Sequence, residues 1–137
     1  MRRLLLVVSV LGVLMPVVGQ AQTPVVNPLT VTFTASADHA ATLPDGTAMV
    51  TRYEIRHFLT GATSPVQVGN LAKPAPVSGV ITASITGSLA SLPFSPTQVY
   101  TAKIAAIGPT GEGVSAASNP FIIVSSPAAP GTPTVSR

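Results

Sequence analysis

Between Gln98 and Ile107 the chain alternates residue by residue. Tyr100, Ala102, Ile104 and Ala106 fall on one side of an extended backbone, Thr101 and Lys103 on the other. A helix would scatter these side chains around its circumference, whereas a strand lying against a core separates them cleanly. The alternation runs into Gly108–Gly113, whose glycines and proline suit a hairpin loop, and then into a second strand, Asn119–Val124. The hairpin Gln98–Val124 is the frame for which the rest of the chain must supply partners.

Upstream the same period recurs. Leu29–Ser36 places Leu29, Val31, Phe33 and Ala35 on one face and Thr30, Thr32, Thr34 and Ser36 on the other. One apolar face and one hydroxyl-bearing face is the pattern of an outer sandwich layer. In Met49–Leu59, Tyr53, Ile55 and His57 alternate with Arg52, Glu54 and Arg56, giving a charged stripe over an apolar one. Pro65–Val68 reads as a short edge strand, Asn70–Gly79 as a connection between sheets, and Val80–Thr86 as a strand with Ile81, Ala83 and Ile85 inward. Pro44-Asp45-Gly46 marks a turn within the loop Ala37–Thr47. No stretch of this part carries a helical period, so the expected fold is all-β: an antiparallel two-sheet Greek-key sandwich of about six or seven strands.

The first 21 residues stand apart. Met1-Arg2-Arg3 is followed by the apolar run Leu4–Val18, and Gly19-Gln20-Ala21 offers small residues at the positions before a cleavage point. That is the form of a signal peptide, with Gln22 as the new N-terminus, residues 22–28 as an extended lead-in, 29–124 as the domain and 125–137 as a proline-rich tail or linker. The expected location is secreted or periplasmic, with no membrane attachment after cleavage. With no cysteine in the chain, neither a lipidated cysteine nor a disulfide framework is available. Burial alone must hold about 115 residues together, a sufficient length for that.

Charge narrows the partners. The formal net charge of +3 includes Arg2 and Arg3. Without them, Arg52, Arg56, Lys73, Lys103 and Arg137 stand against Asp38, Asp45, Glu54 and Glu112, a near-neutral balance with no basic cluster. Phosphate neutralisation needs such a cluster, so nucleic acid is not an expected partner.

Leu92-Pro93, then Thr97 and Tyr100, then YTAKIAAIG and GPTGEGVSAASNP before a closing apolar strand, together resemble a fibronectin type III domain over Leu29–Val124. The spacing of Leu92, Pro93 and Tyr100 is similar to that family's tyrosine corner, whose hydroxyl bonds upstream backbone. The resemblance implies a seven-stranded sandwich used for adhesion, spacing or loop presentation, with no catalytic residues and no cofactor. The chain departs from the family in having no tryptophan, with Phe33 taking the place of the large aromatic of the second strand. For a first strand it has only Thr23–Pro28, which either serves as an abbreviated one or leaves the strand missing.

Several residues invite a sharper reading. Asp38-His39 near Asp45, with His57 on another strand, raises a metal site or a Ser-His-Asp arrangement. Adjacent residues of an extended chain point to opposite sides and no ligand spacing is present, which favours a turn with an exposed His39 and a half-buried His57. Gly108–Gly113 has glycines but no lysine and leads to a strand, so it is a hairpin rather than a phosphate loop. Arg52, Glu54 and Arg56 suit a solvated stripe, with acidic-sugar binding as the alternative. Thr110 and Glu112 are candidate loop contacts for an unknown protein or glycan. Phe121–Val124 is apolar on both faces, and the resembling fold puts this strand at a sheet edge. Ile122 and Val124, with Arg52 and Arg56, are therefore candidate interface residues. The tail Ala129–Ser136 is similar to the opening strand of a following module. It suits a linker, or a strand donated to a neighbour in a self-associating structural subunit.

Overall fold

The computed structural model describes residues 21–125. Residues 1–20, which hold nearly all of the expected signal peptide, and the tail from Ser126 onward lie outside the described residues. Within them the fold is all-β, in two sheets. Strands β1 (Val25–Val26), β3 (Arg52–Leu59), β4 (Gln67–Asn70), β6 (Ser95–Gly108), β7 (Gly111–Val114) and β8 (Phe121–Ile123) form the larger sheet. Its order is β1-β8-β6-β3-β4, with β7 against β6, while β2 (Thr30–Thr34) and β5 (Val80–Ser84) pair as a second, two-stranded sheet.

The alternating pattern does what half-burial requires. Tyr53, Ile55 and His57 of β3 are buried against Tyr100, Ala102 and Ile104 of β6, in the register Ile55 to Ile104 and His57 to Ala102. Ile81, Ile85, Phe121 and Ile123 complete the core, with Val31 and Phe33 of β2 packed against it. Phe33 meets Tyr53 edge-on at 5.2 Å.

Four features differ from the sequence expectation. The lead-in is an abbreviated strand: Val25 and Val26 pair in parallel with Phe121 and Ile122, so the large sheet is not wholly antiparallel. Asn27, at φ 46°, then turns the chain toward the small sheet. In consequence β8 is not an edge, since β6 flanks it on one side and β1 on the other. Leu29, expected inside, is 67% exposed because β2 begins only after it at the corner. A one-turn helix, α1 (Thr86–Leu89), follows β5 where alternation stops; it buries Leu89 and sets Ser88 over Gly69 of β4. A Cβ at Gly69 would lie 2.5 Å from Ser88 Cβ, so the helix sits there because the strand has a glycine.

The last strand is interrupted. Between β7 and β8, Ser115 and Ser118 replace the missing ladder. The Ser115 amide donates to Ile104 O at 2.8 Å while Ser115 Oγ accepts from the Ile104 amide at 3.0 Å. Ser118 repeats the arrangement on Ala102, at 2.8 and 3.0 Å. Two serines thus satisfy four backbone groups of β6 on the side away from β3, where no strand runs between β7 and β8.

Candidate functional site

Three places gather polar chemistry. The first is the outer face of the large sheet. Arg52 donates to Glu54 Oε1 at 2.8 Å, Arg56 to Glu54 Oε2 at 3.0 Å, and Arg56 also reaches Glu112 Oε1 at 3.1 Å. The register aligns Arg52, Ile107 and Glu112 across β3, β6 and β7, and Arg56, aligned with Lys103, reaches Glu112 diagonally over the same face. Bonds from Arg52 and then Arg56 hold the Glu54 carboxyl below its ordinary range, and Arg56 does the same for Glu112. The two carboxylates raise the Arg56 guanidinium in turn. Arg52, Arg56 and Glu112, candidates from separate parts of the sequence, are therefore one mutually neutralising network. Thr110 stays apart in the exposed hairpin turn. Around the network stand Val68, opposite Arg56, and Val114, opposite Ala105, each nearly half exposed. Lys103 covers Phe58 on the same face, its Nζ 5.1 Å from the ring centroid.

The second place is His57. It is fully buried rather than half-buried, edge-on to Phe121 at 5.8 Å. Its Nε2 lies 2.9 Å from Ser88 Oγ, and that hydroxyl donates to Ile85 O at 2.9 Å. A hydroxyl has one proton to give, so His57 carries its own on Nε2. Nδ1 is buried with no hydrogen-bond partner. Burial pushes the pKa down from 6.5 to about 4. A serine and a histidine do meet here, a pairing that sequence separation hid. Yet the Ser88 proton is committed to a carbonyl and no carboxylate orients the ring, so the arrangement is not that of an activated nucleophile.

The third is Tyr53. Its hydroxyl accepts from the Ser36 amide at 3.1 Å and meets His39 Nδ1 at 2.9 Å. His39 stacks on the same ring at 5.7 Å, so it is neither free in solvent nor beside His57. Asp45 instead caps its own turn, accepting from the Thr47 amide at 2.9 Å, which lowers its pKa. Among the described residues no group of three or more His, Asp or Glu side chains is placed to hold a metal.

The remaining candidates resolve as frame. Leu92 and Tyr100 are buried and Pro93 is exposed. The Tyr100 ring stacks on Phe121 at 5.7 Å, and its hydroxyl donates to Gln98 Oε1 at 3.0 Å, a side chain rather than the backbone that the tyrosine corner implied. Ile122 is half-buried beside Val26. Val124 is held at both backbone groups by the Asn27 amide, at 2.8 and 3.0 Å. Neither is on an open edge, because β1 covers it.

An open edge beside the core lies elsewhere, on β2. Ile85 N donates to Leu29 O and Ala35 N to Gly79 O, so the odd-numbered residues of β2 spend their backbone groups on β5. Thr30, Thr32 and Thr34 therefore aim theirs away from β5, and among the described residues no strand lies there. Two cavities follow this edge, about 460 Å³ beside Phe33, Tyr53 and Ile104, and about 270 Å³ beside Val31, Ile55 and Phe121. No family model and no curated protein matches the chain.

Proposed function

We propose that the chain is an exported, non-enzymatic β-sandwich module of the fibronectin type III kind, acting by surface contact outside the cytoplasm. The observation that carries this reading is the outer face of the large sheet. The charges of Arg52, Glu54, Arg56 and Glu112 are consumed by one another and Lys103 lies over the Phe58 ring, while Val68 and Val114 remain exposed beside them. A neutralised polar centre with an aliphatic margin suits a protein partner. A sugar ring would call for an exposed aromatic plane, which this face lacks among the described residues.

Expression of the whole chain in a Gram-negative host followed by fractionation tests the export half. The expected product lies outside the cytoplasm with Gln22 at its N-terminus; an intact chain retained in the cytoplasm contradicts it. Val68→Glu with Val114→Glu tests the contact half: capture of a partner from the extracellular fraction should fall while melting is unchanged. Capture as strong as that of the unaltered chain rejects this face.

A further inference from the structure

We propose that the open edge of β2 accepts residues 131–136 of a second copy of this chain, so that copies join head to tail. This rests on the reading of the chain as a module that works by surface contact, and it assigns the partner of one surface.

The edge offers three N–H and three C=O groups, from Thr30, Thr32 and Thr34, over an apolar floor. A strand added there antiparallel would bond through every second residue, and those residues would share the outward face of the threonines. The tail Gly131-Thr132-Pro133-Thr134-Val135-Ser136 has that form. With Thr132, Thr134 and Ser136 opposite Thr34, Thr32 and Thr30, their hydroxyls join the outer hydroxyl face, where Thr32 Oγ1 already lies 3.1 Å from Thr82 Oγ1. Pro133 then faces inward beside Phe33, over the larger cavity, and Val135 beside Val31, over the smaller. The missing N–H of Pro133 falls on the side away from β2, where it costs nothing. Parallel addition reverses the match. It turns the threonines inward, or else asks Pro133 to donate.

Chain length decides between the chain's own tail and a neighbour's. Ser125 lines the same cavity as Leu29, at the beginning of β2. An antiparallel strand must enter at the other end, beyond Thr34, five residues or about 16 Å away. Residues 126–131 reach about 20 Å when fully extended, which leaves no length for the reversal. A neighbour's tail has no such restriction. Because donor and acceptor surfaces differ, the contact is heterologous, and it grows into chains or closes into a ring.

Light scattering coupled to size exclusion, on the exported chain from Gln22 onward, reads the mass. The expected result is a mass that rises with concentration, and a chain ending at Ser125 that stays monomeric. Val135→Asp alters the donor outside the described sandwich and should weaken association at least tenfold. Thr32→Pro removes an N–H that faces the open side and leaves the β5 ladder intact, so it should fold yet accept no strand. Mixing these two variants should give dimers that grow no further, one able only to accept and the other only to donate. A monomer at every concentration, or a Val135→Asp chain that assembles like the original, overturns strand donation. Either outcome leaves export and the valine face to be judged by their own experiments.

Discussion

The Nε2–H of His57 is spent on Ser88 Oγ at 2.9 Å, and this single bond leaves the other ring nitrogen, Nδ1, facing the core without a partner. Protonating Nδ1 would place a charge in apolar surroundings, so the folded pKa falls to about 4 while the unfolded one stays near 6.5. Above pH 6.5 the ring is neutral in both states and contributes no slope. Between pH 6.5 and 4 only the unfolded chain takes up the proton, and stability declines by about 3 kcal/mol. Urea midpoints across that range should show the decline, and His57→Leu should flatten it. An equal slope in the variant would place its origin elsewhere.

Acid below this window acts through other groups. The carboxyls of Glu54 and Glu112 are held down by Arg52 and Arg56, so their contribution is present above about pH 4.5 and is lost as pH falls through their lowered values. Arg56 joins both carboxylates and Arg52 only one. Arg56→Met should therefore lower Tm more than Arg52→Met, and salt should narrow the difference. Equal losses would mean that the bridge to Glu112 contributes nothing.

Ser115 and Ser118 make a separate prediction. Changing either to alanine leaves one β6 amide, of Ile104 or Ala102, without its acceptor. Each substitution should cost about 1 kcal/mol by denaturant unfolding, and the two should add, because they serve different amides. No loss in either variant would mean that water replaces the hydroxyl.

Gly108 sits where β6 passes the segment leading into β3, and a Cβ there would overlap the Met49 carbonyl oxygen. Backbone cannot step aside as a side-chain tip can. Gly108→Ala should cost at least about 2 kcal/mol or prevent folding, whereas Gly113→Ala, with open space around its Cβ position, should be mild by the same unfolding assay.

The sandwich was legible because strand burial leaves a period of two, and Tyr53, Ile55, His57, Tyr100, Ala102 and Ile104 obey it. Leu29 and the Thr86–Leu89 turn escape the pattern for one reason: alternation says which residues share a face but not where a strand stops. The pairing of β1 with β8 was hidden because two valines between prolines carry almost no pattern. The Arg56–Glu112 and His57–Ser88 contacts join residues 56 and 31 positions apart, and only the folded arrangement brings them together. Sequence pointed to an open edge on the last strand. The edge exists, but β1 covers that strand and β2 is left open, since the lead-in is long enough to serve only one sheet.

Amide hydrogen exchange along β2 tests strand donation most directly, because the same five residues carry both an inner and an outer reading. In dilute solution Val31 and Phe33 should be protected by β5 while Thr30, Thr32 and Thr34 exchange freely. Raising the concentration of the chain from Gln22 onward should protect the three threonine amides, with no change in a chain ending at Ser125. Threonine amides that exchange freely at every concentration would contradict the account.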